Sequence, residues 1–170
     1  MLNTFHDLYV EQLRDLYSAE SQIIDAMPLM IENASDADLR AGFEQHLAET
    51  RVQRDRIADL FKTLDKDPGG HTCKAMKGIL AEANDLISES HPVFGSDTPG
   101  PVRDAGLIAS AQRVEHYEIA AYGTVCEFAK ALGRHDDLAV LKQTIAEEKA
   151  TDEKLTRIAE GWINAAAARA

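Results

Sequence analysis

The stretch Gln112-Arg-Val-Glu-His-Tyr-Glu-Ile-Ala-Ala-Tyr122 places two acids, Glu115 and Glu118, three residues apart in a segment that otherwise reads as the inside of a helix. Three residues apart means one helical face. The apolar residues around them (Leu107, Ala111, Val114, Ala121, Val125 and Phe128) recur at helical spacing. Glu118 falls on that stripe and Glu115 beside it. A carboxylate among aliphatic side chains must be exposed, paired with a base, holding a cation or protonated, because burying it uncompensated costs several kcal/mol.

Outward from this stretch the rest of the chain is also helical in rhythm. Towards the N-terminus, Thr4 with Asp7 forms a capping signal, and Phe5, Tyr9, Leu13, Leu16, Glu20, Ile23, Met27 and Met30 follow a three-four spacing. This predicts a helix over residues 4–32, bent near its end by Pro28. Ser35, with Asp38 three residues on, is expected to cap a second helix over 36–65, whose stripe includes Leu39, Phe43, His46, Gln53, Ile57 and Leu60. Asp67-Pro-Gly-Gly70 breaks the chain. A shorter helix over 73–89 and a Pro/Gly-rich loop from His91 to Pro101 lead to the helix over 101–132, with Pro101 as its first residue and Gly133 as its left-handed stop. The last helix, 136–165, starts at Asp136 and carries Leu138, Leu141, Ile145, Glu148, Asp152 and Leu155 on one stripe. Two long hairpins joined by a crossover containing a short helix predict an all-α fold, an antiparallel four-helix bundle in one domain spanning residues 1–170.

Composition narrows the function. A net charge of −11 argues against nucleic acid and against an anionic membrane surface, and suits cations. Cys73 and Cys126 lie 53 residues apart with no Cys-x-x-Cys, which reads as two free thiols in a reducing compartment. No run approaches the eighteen apolar residues of a membrane span, and no basic-then-apolar leader opens the chain, so a cytoplasmic location is expected.

Each long helix carries an acid on or beside its stripe: Glu20, Glu49, the pair Glu115 and Glu118, and Glu148. From Glu20 to Glu49 is 29 residues and from Glu118 to Glu148 is 30, so each pair straddles its hairpin turn at similar depth. His46 adds an imidazole one turn before Glu49. Bridging carboxylates around two metal ions resolve such a concentration of buried acid in a bundle, and an oxygen-rich set favours iron or manganese over zinc. Taken one at a time the residues have plainer readings. Glu20 could pair with an arginine, and His46 could be a hydrogen-bonded semi-buried histidine. Asp152 could be a ligand, an acceptor from a ligand, or an ion-pair partner of Arg113 or Lys149. Glu147 and Glu148 are adjacent, and the stripe selects Glu148. Tyr122, one turn beyond Glu118, could reach a ligand, and core packing alone explains its place about as well.

The strings Leu-Tyr-Ser-Ala-Glu-Ser-Gln22, His46-Leu-Ala-Glu-Thr50, Val-Glu-His-Tyr-Glu-Ile-Ala-Ala-Tyr-Gly123 and Glu147-Glu-Lys-Ala-Thr-Asp152 resemble those of the YciF-like group of bacterial ferritin-like proteins. The resemblance runs from about Thr4 to Ala159. It implies a rubrerythrin-related bundle with a short extra helix, often dimeric and associated with stress responses, without a settled activity. It also implies that Glu20, Glu115, Glu118 and Glu148 occupy positions of di-metal ligands. Two departures bear on chemistry. The second helix reads His46-x-x-Glu49, the reverse of the usual Glu-x-x-His, and Thr151 stands where the last helix would carry histidine. The rubredoxin-type iron centre of full-length rubrerythrins has no Cys-x-x-Cys to form on.

The sequence therefore supports a di-iron or di-manganese carboxylate protein, with Glu49 and Glu118 as bridges and Glu20, His46, Glu115 and Glu148 as terminal ligands. Oxidation of Fe(II) or reduction of peroxide is the chemistry such a set serves, and a homodimer is the expected assembly. The alternative is a non-catalytic stress-associated bundle that acts through self-association or protein partners. Iron storage in a cage is a third, weaker reading.

Overall fold

A computed structural model describes residues 2–87 and 98–170. Helix α1 spans Phe5–Asn33, α2 Ala37–Thr63, α3 Lys74–Ile87, α4 Gly100–Ala131 and α5 His135–Ile158. A π-helical turn, Ala159–Ile163, and a last helical turn, α6 (Asn164–Ala167), continue α5. The expected end of the short helix at residue 89 and most of the His91–Pro101 loop lie outside the described residues.

Local signals account for the boundaries. Thr4 and Asp7 make a reciprocal capping box, each side chain accepting from the other's backbone N–H at 3.0 Å. Asp36, rather than the expected Ser35, caps α2, its Oδ1 accepting from the Asp38 and Leu39 N–H groups at 2.9 Å. Ser35 is occupied elsewhere: its N–H and hydroxyl both donate to the buried carboxylate of Asp104 on α4, which also accepts from the Asp36 N–H. Gly133, at φ +69°, ends the α4 run in the left-handed conformation that glycine adopts without a Cβ clash. Helix α4 begins one residue before Pro101, with Pro99 as its cap.

The four long helices form the bundle, α1 against α2 and α4, and α5 against α4 and α2, with α3 laid across α1 and α4. Its apolar core is in two halves. One gathers Ile23, Met27, Leu39, Phe43, Leu107, Val114 and Leu155. The other gathers Tyr9, Leu13, Leu16, Ile57, Phe61, Tyr122, Val125 and Leu141. In every long helix the residue that falls between the two halves is polar: Glu20, His46, Glu115 with Glu118, and Glu148. The acids thus form a layer across the middle of the bundle.

Candidate metal centre

Helical spacing carries each member of that layer inward. Glu20 is one turn from Leu16 and Ile23, His46 from Phe43, Glu118 from Val114 and Tyr122, and Glu148 two turns from both Leu141 and Leu155. The exposures are 0% for Glu20, Glu118 and Glu148, 1% for Glu115 and 3% for His46. One ligating atom each of His46, Glu115, Glu118 and Glu148 lies within 4.8 Å of all the others. His46 Nε2 is 3.1 Å from Glu115 Oε1.

Very little in the protein satisfies these groups. Both oxygens of Glu118, Oε2 of Glu20 and of Glu115, and both ring nitrogens of His46 lack an aligned hydrogen-bond partner, His46 Nε2 despite lying 3.1 Å from Glu115 Oε1, and Glu148 has only the neighbouring acid Glu115 to share a proton with. Natural interiors leave few polar atoms in that condition, and a cluster of them calls for something to fill it. Glu20 is the partial exception, since its Oε1 accepts from the Tyr122 hydroxyl.

Electrostatics point the same way. Burial, reinforced by the neighbouring acids, raises Glu20, Glu115 and Glu118 well above the ordinary carboxylate value of 4.5. Burial also pushes Glu148 up to about 7, partly offset by a hydrogen bond shared with Glu115 and reinforced by Glu147 and Glu49. His46 is pushed down to about 4 by burial, which leaves it a neutral imidazole fit to donate a lone pair. The nearby cation Arg56 eases Glu20, yet its guanidinium is forked onto Glu147 at 2.6 and 2.9 Å. The acids must therefore be protonated or share a cation.

Of the residues singled out in the sequence, His46, Glu115, Glu118 and Glu148 are brought together and Glu20 lies beside them. Glu148, not Glu147, faces inward; Glu147 takes Arg56. Glu49 is not part of the group. It is half-buried in a groove between α2 and α5 that Thr151 also lines, and its Oε1 accepts from Gln45 at 2.7 Å. Asp152 is likewise outside it, accepting from Gln112 at 3.2 Å with His116 3.5 Å away, and it pairs with neither Arg113 nor Lys149. Arg56 was missed by the sequence reading, although its place one turn past Gln53 on α2 was a signal. So was Asp15, which accepts from Tyr117 and from His71 beside the bundle and has no periodic signature.

The fold and this centre define a class: an all-α bundle of the ferritin-like kind, crossed by a buried histidine–carboxylate cluster that could hold a metal ion. Residues 4–168 match the model of a family described as a domain of unknown function, DUF892, and the chain belongs to that family. It is 40% identical over 164 residues to protein YciF of Escherichia coli strain K12, covering 96% of this chain and 95% of that one. The crystal structure of that E. coli stress protein superposes with a TM-score of 0.87 over 96% of this chain and 99% of YciF. YcfI of Rhodopseudomonas palustris, described as a candidate structural protein, is 42% identical with a TM-score of 0.83, covering 91% of this chain and 94% of its own. A protein of Xanthomonas campestris pv. campestris, 18% identical with a TM-score of 0.73 over 98% of each chain, shares the fold. No helix among the described residues is long and apolar enough to cross a membrane.

Proposed function

We propose that the chain is a ferritin-like metal protein that holds two iron or manganese ions in its central acid layer and uses them to oxidise Fe(II) or reduce peroxide. The observation that carries this reading is the convergence of His46, Glu115, Glu118 and Glu148 within 4.8 Å, nearly all of their ligating atoms without a partner. Oxygen-rich donors with one imidazole suit hard to borderline cations, and zinc, which prefers more nitrogen or sulfur, suits them less. Bound there, iron or manganese would supply one-electron redox chemistry and charge to balance the acids.

The chain's own residues hold and tune the site. Glu118, with two free oxygens in the middle of the layer, would serve both ions. His46, Glu115 and Glu148 would each hold an ion, and Glu20 would hold the second with the oxygen that Tyr122 leaves free. Tyr122 keeps a proton at Glu20 Oε1. The partly exposed Arg56–Glu147 pair spans α2 and α5 at the edge of the layer. Glu49, turned into the groove that Thr151 lines and engaged by Gln45, would serve the site only from outside the cluster, and Asp152 would be an outer acceptor. A cytoplasmic homodimer remains the expected form, and a stress-associated role is in line with the relative named a stress protein.

Metal analysis of protein purified without chelator from iron- and manganese-replete cells tests this. Two ions per chain are expected, and fewer than about one under gentle conditions would sink the reading. The second reading, a non-catalytic bundle acting through self-association or protein partners, is favoured by the description of YcfI as structural. It expects a metal-free chain with its acids protonated.

A further inference from the structure

Beneath α3, between α1 and α4, lies a cavity of about 440 Å³. That is within the range of small-molecule sites, roughly 300–1,000 Å³. Its walls are apolar, with Ile23, Met27 and Met30 from α1, Leu80 from α3 and Val114 from α4. Its mouth carries exposed Asp25, Lys77 and Asn84, one charge of each sign, which gives no net pull on an ionic ligand. Its inner end is formed by His46 and Glu115 of the acid layer. A further polar atom lines it: Ser110 Oγ, on a residue 1% exposed, has no hydrogen-bond partner. A helical serine ordinarily donates to the carbonyl one turn back, and this one does not.

We propose that this cavity binds a neutral, elongated apolar molecule with one small O–H-bearing head, of the alcohol or hydroperoxide type. The chain lies under α3 and the head meets His46 and Glu115. Depth decides between occupants, because two of the lining residues, His46 and Glu115, are only 3% and 1% exposed. A slender chain can reach there and a protein surface cannot. Size fits as well: an apolar cavity of about 150 Å³ admits benzene, so one about three times larger holds a chain of roughly ten to sixteen carbons. In the metal-free protein the head must be neutral, since a carboxylate would be buried against Glu115 and its partners Glu118 and Glu148. An O–H can both donate to a carboxylate oxygen and accept from Ser110. The proposal rests on the metal centre for the chemistry at the inner end, and on the cavity alone for binding.

Calorimetric titration of the full chain, as purified, with 1-octanol, 1-decanol, 1-dodecanol and decanoate tests it, with metal content measured on the same samples. One molecule per chain is expected, and each added methylene tightens binding about fourfold until the cavity is full. On chelator-treated protein, where the acids are not balanced by metal, decanoate should bind at least tenfold more weakly than decanol. Ala111→Phe, which places a ring inside the cavity, should weaken decanol at least tenfold while leaving metal content unchanged. Should that variant fail to fold, Ala26→Leu adds volume from the half-buried side of α1 and should weaken it severalfold. No saturable alkanol binding, affinity indifferent to chain length, equal affinity for decanoate on chelator-treated protein, or a filled variant that binds like the parent would each overturn the proposal. Metal without alkanol binding sinks the cavity and leaves the centre standing. Alkanol binding without metal does the reverse.

Discussion

Glu118 sits fully buried with no hydrogen-bond donor on either oxygen, and burial and three neighbouring acids raise its pKa. Without a cation it is a source of strain, and replacing such a group by an apolar one is commonly neutral or stabilising by about 1–4 kcal/mol. Glu118→Leu is therefore expected to raise the stability of chelator-treated protein by about 1–3 kcal/mol in urea unfolding, and to remove more than half of the metal from untreated protein. The same acids set a pH dependence. Their folded pKa values exceed the ordinary 4.5, so their contribution to stability is complete below 4.5 and is lost as pH rises through the folded values, about 7 for Glu148. His46 acts oppositely: lowered from 6.5 to about 4, its contribution is complete above 6.5 and is lost as pH falls towards 4. Above 6.5 only the acids remain. Metal-free protein should there lose stability with rising pH, about 1.4 kcal/mol per pH unit for each proton that the folded state retains, measured by unfolding at fixed temperature. A flat profile would mean that the acids have another partner. At this scale the sequence was legible where one helix decides the side chain's direction, as for Glu118 and Glu148. It was not legible for Glu49. One turn from His46 puts it near the right face, but the small remaining rotation turns it into the α2–α5 groove beside Gln45.

Among the elements, the hairpins and the left-handed stop at Gly133 followed from apolar period and glycine placement. The α1–α2 turn did not follow, because the signal that fixes it is 69 residues away. Asp104 accepts three hydrogen bonds from Ser35 and Asp36, with the buried carboxylate pinning that turn to α4. Ser35 looked like a local cap and is a long-range donor; a hydrogen bond between helices leaves no periodic trace in a sequence. Asp104→Ala would orphan both N–H groups and the hydroxyl, and is expected to cost about 2–4 kcal/mol of unfolding free energy. Asp104→Asn keeps acceptor capacity and should cost less than half of that. Equal losses for the two variants would show that the space, not the hydrogen bonds, is what matters. The π-helical turn at Ala159–Ile163 was also outside sequence reach, since the helical period continues through it and buries Ala159 and Ile163 against α4.

For the molecule as a whole, the acid layer divides one core into two, and each half alone resembles an ordinary bundle core. What joins them is the layer, so cohesion across the middle of the bundle depends on how its charge is balanced. Protonation balances it weakly, by giving up the ionised state of four carboxylates. A cation balances it strongly, because lone pairs that find no donor in the protein then find one common partner. Because the unfolded chain has no preformed site, such binding adds directly to folding free energy, about 2.7 kcal/mol when free metal stands at a hundred times its Kd. For a chain of this size each kcal/mol moves Tm by about 2–4 °C. Adding Mn(II) or, without oxygen, Fe(II) to chelator-treated protein is thus expected to raise Tm by about 5–10 °C, with the gain abolished in Glu118→Leu. Mg(II) at the same concentration should do much less, because it gives up its water reluctantly and gains little from an imidazole. Scanning calorimetry of the three loaded samples and the variant decides the matter. Equal shifts with Mg(II), or a shift that survives Glu118→Leu, would place the stabilising cation on the acidic surface and not between the two core halves.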